Sequence, residues 1–191
     1  MKFIFTISLI IITSSNSFGQ LNFGFDITQT TNKFIESNLI VPVSNKMIMY
    51  LNYKLKNSVV ELYYGEDNLT TSNIQLNYNE YGIIFGAYKK YKSNGNFYPG
   101  IGFYNRIYSN GNNYLNFGNK VGVTGKIQFG LEITEGLNTG ITYRYFQDLF
   151  NLNENQNQLL LYQSSFCFTM EINLFRAYTI IINKIKKRKE I

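Results

Sequence analysis

Residues 144–148 read Arg-Tyr-Phe-Gln-Asp, a cation, a phenol, an amide and a carboxylate in one short run, and Ser164 and Ser165 follow. Such groups could support hydrolysis if a base stood ready to take a hydroxyl proton near neutral pH, a role most often filled by histidine. The chain contains no His. A lysine base is the remaining option, and Lys120 and Lys126 share one strand parity with Thr124. Ion pairing with Glu132, Glu80 or Glu171 is the better reading of both lysines. Glu66 and Asp67 are too few for a calcium site and read as solvated loop charge. With one cysteine, Cys167, there is neither an internal disulfide nor a cluster for a transition metal. These residues imply no cofactor and no metal.

The elements that must position these groups show most clearly in residues 119–133. Val121, Val123, Ile127, Phe129, Leu131 and Ile133 alternate with Lys120, Gly122, Thr124, Lys126, Gln128, Gly130 and Glu132. Period-two alternation recurs along the chain and gives eight expected strands, at about 21–30, 46–55, 58–65, 74–90, 96–108, 117–133, 137–147 and 158–175. The connections at 31–45, 66–73, 109–116 and 148–157 are long, and those at 56–57, 91–95 and 134–136 are tight. Ser-Asn-Gly-Asn occurs at 93–96 and 109–112, where Asn-Gly suits the positive φ angles of a hairpin turn.

A soluble barrel would also alternate, with its polar face toward water. The composition of that face decides against it. It carries Gly24, Gly82, Gly86, Gly100, Gly102, Gly118, Gly122, Gly130 and Gly140, and a solvated face gains nothing from so many glycines. It also carries charges of both signs: Asp26, Lys54, Glu61, Glu80, Arg106, Lys120, Lys126, Glu132, Arg144 and Glu171. Glycines between paired long side chains suit the inside of a narrow eight-stranded barrel. The opposite face, with Phe25, Phe85, Phe103, Phe129, Tyr143 and Phe168, then meets lipid. Tyr53, Tyr81 and Tyr145 stand near strand ends on that face, where rings sit at a membrane interface.

Of 18 basic and 12 acidic residues, Lys2 lies at the start, and Arg176, Lys184, Lys186, Lys187, Arg188 and Lys189 crowd the end with Glu190. Residues 20–175 therefore hold 11 basic and 11 acidic groups. A neutral body excludes a nucleic-acid surface. Residues 1–19 have a basic start, an apolar run from Phe3 to Ile12 and small residues at Ser17 and Gly19, the pattern of a secretory signal peptide. The expected organisation is a signal at 1–19, a barrel at 20–175 and a basic tail at 176–191, either an interfacial helix or a flexible extension.

On this pattern the chain resembles the small outer-membrane β-barrel proteins of Gram-negative bacteria. The alternating stretch 166–175, ending on Phe175, is similar to their terminal aromatic signal. The resemblance implies an all-β, antiparallel, up-and-down transmembrane barrel of eight strands in the cell outer membrane. It further implies lipopolysaccharide, phospholipid and the barrel assembly machinery as partners, and a non-enzymatic role in envelope structure or loop-mediated surface interaction. A narrower similarity is to lipid A deacylase barrels, through residues 141–148. Tyr145 stands where that family has its general base and Gln147 where it has its nucleophile, so the alternative, a lipid A-modifying enzyme or an inactive relative of one, lacks its catalytic pair.

Overall fold

A computed structural model describes residues 19–34, 40–70, 75–91, 94–109, 119–151 and 160–189. Their strands are β1 (Gln20–Phe34), β2 (Ile40–Lys54), β3 (Ser58–Thr70), β4 (Gln75–Ala87), β5 (Lys89–Lys90), β6 (Gly95–Ser109), β7 (Asn119–Thr134), β8 (Leu137–Asn151) and β9 (Leu161–Asn173), followed by helix α1 (Leu174–Lys189). The strands pair in the order β4-β3-β2-β1-β9-β8-β7-β6-β5, all antiparallel, and β4 also pairs with β6 to close the sheet. Two-residue β5 resumes β4 past Tyr88 along β6. The result is a closed barrel of eight staves, the architecture expected from the alternation. Both β1 and β9 reach the end that carries the tight turns at 55–57 and 135–136, here the turn end; the opposite end is the loop end.

The staves are longer than their apolar periodicity indicates. A strand of 15 residues, at about 3.3 Å per residue and a tilt of about 40°, rises roughly 38 Å, against an apolar band of about 25 Å for a membrane barrel. The surplus lies at the loop end. Residues 31–34, 40–45, 66–70, 109 and 148–151 are strand, not connection; the rest of the four long connections, 35–39, 71–73, 110–116 and 152–157, lies outside the described residues. Polar residues on both faces, among them Thr31, Asn32, Ser44, Asn45, Glu66, Asp67 and Asn68, break the apolar alternation there without interrupting the ladder.

Other boundaries shift for local reasons. Phe175 falls in α1 because β9 ends at Asn173. The basic tail is helical through Lys189. Among the described residues of the first Ser-Asn-Gly-Asn, Asn94 alone takes a positive φ, 62°, while Gly95 already belongs to β6. The second copy, apart from Ser109, lies outside the described residues, as do Gly118 and residues 1–18.

The two faces of the wall differ completely. Ile101 (76% exposed), Phe166, Phe103, Phe129, Ile141, Leu62 and Phe168 point outward and are exposed, while their neighbours in sequence point in and are buried. Contiguous apolar surface around the whole circumference far exceeds the few hundred Å² that soluble monomers expose. Hydrocarbon is the medium that fits it. Among the described residues no helix is long and apolar enough to cross a membrane, so the strands are the elements that can.

Inside, several glycines make room for rings. Gly24 lies directly opposite Tyr50, Gly82 opposite Tyr63 and Gly122 opposite Tyr104. A β-carbon on Gly24 would come within 2.4 Å of the Tyr50 ring. Each glycine thus vacates the volume that the tyrosine across the ladder occupies.

Two outcomes follow. Ile101→Lys should destabilise the lipid-embedded barrel by about 2–4 kcal/mol, as a lysine does near a bilayer midplane, read by reversible unfolding from vesicles; a change within about 0.5 kcal/mol, usual at a solvated surface position, would contradict a lipid-facing wall. Gly24→Ala should cost about 1–3 kcal/mol through overpacking, and much less in a Tyr50→Ser background; equal costs in both backgrounds would separate the glycine from the ring.

Candidate functional site

The barrel interior is filled by ions of both signs. Among the described residues the buried cations are Lys46, Lys54, Arg106, Lys120, Lys126 and Arg144, and the buried anions are Asp26, Glu61, Asp67, Glu80, Asp148 and Glu171. Six face six, so the lumen is formally neutral. Strand alternation delivers each group to the inside, and closure then brings groups distant in sequence together.

At mid-height Arg144 on β8 donates through Nε to Asp26 Oδ2 on β1 at 2.6 Å and through Nη2 to Glu61 Oε1 on β3 at 2.7 Å. Lys126 on β7 reaches across to Glu61 Oε2 at 2.7 Å, and its Nζ stands 4.1 Å from the centre of the Tyr50 ring. Thr169 Oγ1 donates to the other oxygen of Asp26 at 2.7 Å. The bonds to Glu61 cross the lumen, while Thr169 and Asp26 face each other on the adjacent strands β9 and β1.

Toward the loop end, Arg106 donates to Glu80 Oε2 at 2.8 Å and to Asp148 Oδ1 at 3.0 Å, and Lys46 pairs with Glu80. Tyr104 and the backbone N–H of Leu161 hold the two oxygens of Asp148 at 2.6 and 2.9 Å. Above them Asp67 accepts from Ser44 at 2.9 Å, Tyr78 at 2.8 Å and Gln163 at 3.1 Å. Toward the turn end, Glu171 pairs with Lys54 and accepts from Asn52, Gln128 and Tyr50 at 2.9–3.1 Å.

Several sequence expectations change here. Lys126 pairs with Glu61 and not with Glu132, Glu80 or Glu171. Lys120 is buried. Glu132 lies outside the buried network, at the turn-end rim, where it binds Lys90 at 2.5 Å and Arg176 at 2.8 Å; a register irregularity between Glu132 and Thr134 precedes the turn there. Glu66 and Asp67 are in β3, not in a loop, and alternation sends the first outward and the second into the lumen. They cannot ligate one ion together. Ser165 is buried inside while Ser164 faces out, so only Ser164 shares a surface with Tyr145 and Gln147. Lys46, Asp67 and Asp148 were hidden because each lies in a stretch that composition assigns to a connection or its edge. The buried rings of Tyr50, Tyr63, Tyr78, Tyr98 and Tyr104 were hidden because tyrosine reads equally well on either face.

Outside, the apolar band ends at a tyrosine collar toward the loop end. Tyr64 donates to Glu66 at 2.5 Å, Tyr145 donates to Gln147 at 2.7 Å, and Tyr81 accepts from Asn105 at 2.8 Å. Around and beyond the collar many outward positions are polar, Gln29, Thr31, Asn45, Asn79 and Ser164 among them, interspersed with exposed Ile107, Leu149 and Phe150. An amphipathic ring with its hydroxyl held on the polar side suits the edge of a hydrocarbon layer. Tyr53 lies at the opposite, turn end.

Solved structures of similar shape agree with this geometry. The chain is similar to Neisserial surface protein A, with a TM-score of 0.66 at 9% identity, over 81% of this chain and 97% of that one. The fold is that of the small outer-membrane β-barrels. The attachment invasion locus protein Ail of Yersinia pestis matches with a TM-score of 0.51 at 8% identity, covering 81% of this chain and 99% of that one. The outer membrane protein OprG from Pseudomonas aeruginosa matches at 0.51 and 9%, covering 82% and 96%. No family model and no curated protein sequence matches the chain. Shape alone carries the relationship to these outer-membrane barrels.

Arg144→Met should cost about 3–5 kcal/mol, because Asp26 then stays buried without a cationic partner and Glu61 is left with Lys126 alone. Unfolding of the vesicle-embedded barrel measures this. A loss below about 1 kcal/mol would place water, not the arginine, beside those carboxylates.

Proposed function

We propose that the protein works in the cell outer membrane as a non-enzymatic barrel, presenting its loop end for surface interaction or contributing to envelope structure. The observation that carries this reading is the occupied lumen. Eight strands leave an interior just wide enough for side chains, and Arg106, Arg144, Tyr78, Tyr98, Lys46 and Lys126 are among the large side chains buried there. Ion pairs at three levels of the lumen, with Glu61 joined to Arg144 and Lys126 across it at mid-height, support a plugged interior.

The loop end is the natural working face. With β1 entering from the periplasm, the loop end faces outside the cell, and rigid scaffolds carry recognition on the connections at such an end. Ail, similar in shape, is described as an attachment invasion locus protein and has been crystallised with the heparin analogue sucrose octasulfate. That supports an interaction role for this architecture.

Chemistry has less support. Tyr145 and Gln147 bond to each other, Ser164 lies across the ladder from Tyr145, and no histidine exists to activate a hydroxyl. Incubating the refolded barrel with lipopolysaccharide and determining the mass of lipid A should show no acyl loss, and planar-bilayer recording should show no sustained conductance. Released acyl chains would establish the lipid A-modifying alternative; a stable open channel would overturn the filled-lumen reading.

A further inference from the structure

Helix α1 is not needed to close the barrel, yet its junction is firmly built. Asn173 Oδ1 caps it by accepting the backbone N–H of Arg176 at 3.0 Å, and the Asn173 N–H donates to Gly136 O at 2.7 Å. Arg176 Nη1 donates to Glu132 Oε1 at 2.8 Å. Gly136 has a φ of 87°, and a β-carbon there would stand 3.0 Å from Arg176 Cβ, so glycine serves both the turn and the close approach. The helix is therefore fastened to the rim of the turn end.

Its exposed surface is amphipathic. Leu174, Tyr178, Ile181 and Ile185 recur at i, i+4, i+7 and i+11, and all four are exposed. The stripe begins two residues after Ile172, the last outward apolar position of β9, and so continues the lipid-facing surface. The helix contains six basic residues and no acidic one, five of the six falling within residues 184–189. At about 24 Å it is too short to span a bilayer but long enough to lie along one.

We propose that α1 docks on the leaflet at the turn end, which on the orientation above is the periplasmic one. The Leu174–Ile185 stripe enters the upper acyl region, and the basic C-terminal half meets anionic phospholipid headgroups. Charge complementarity and continuity with the apolar barrel wall select this occupant. The proposal rests on the membrane reading of the barrel.

The chain has no Trp, so Tyr178→Trp supplies a single reporter on α1 and Phe168→Trp one on the wall. Each full-length variant, its folding checked by heat-dependent gel mobility, is placed in nanodiscs of phosphatidylcholine alone or mixed with phosphatidylglycerol, with acyl-brominated lipid as quencher. In anionic discs both reporters should be blue-shifted and quenched. The α1 reporter should lose most of its quenching in zwitterionic discs, or when Lys184, Lys186, Lys187, Arg188 and Lys189 are all changed to Gln, while the wall reporter stays quenched. Water-like, unquenched emission from Tyr178→Trp beside a quenched Phe168→Trp would overturn the proposal, as would quenching of the α1 reporter indifferent to anionic lipid. Loss of quenching from both reporters would instead bring down the membrane reading.

Discussion

The structure depends on one constraint: a charge inside a closed eight-stranded wall must find its partner within the lumen. Leaving one partner of a buried pair alone costs several kcal/mol. The chain meets this with balanced numbers and with convergent geometry, since Glu61 serves both Arg144 and Lys126, and Glu80 serves both Arg106 and Lys46. Aromatic rings fill the spaces between the ions, with Arg106 Cζ 4.4 Å from the centre of Tyr78 and Lys46 Nζ 4.1 Å from that of Phe146. Such contacts hold a cation where water is excluded.

The inward polar set in turn dictates the outward one. Strand geometry sends adjacent residues to opposite faces, so a charged lumen and an apolar exterior are two readings of one alternation. The tyrosine collar marks where that exterior stops. Its hydroxyls bond to the polar side chains of Glu66, Gln147 and Asn105, which suits a boundary between two media.

Much of this was legible in the sequence. Alternation in residues 119–133 identifies β7 and its faces, and glycines on the polar face point to a crowded interior. The extended staves were not legible, because Asn32, Ser44 and Asp67 bond inward while their outward neighbours Thr31, Asn45 and Glu66 are polar too. Pairings were also out of reach: Arg144 and Asp26 are separated by 118 positions and meet only through closure. Tyrosine gave no directional signal, since its ring packs against a glycine inside as readily as it sits at an interface outside.

The central claim is that odd positions of β7 meet hydrocarbon while even positions face a dry, paired interior. Spin labels placed singly at residues 121–131 of the reconstituted barrel, after replacing Cys167, test it through accessibility to oxygen and to a water-soluble nickel chelate. The account predicts high oxygen and low nickel accessibility at the odd positions, with both low at the even positions. Nickel access at Lys126 and Gln128, with Val123 and Phe129 shielded from oxygen, would contradict it.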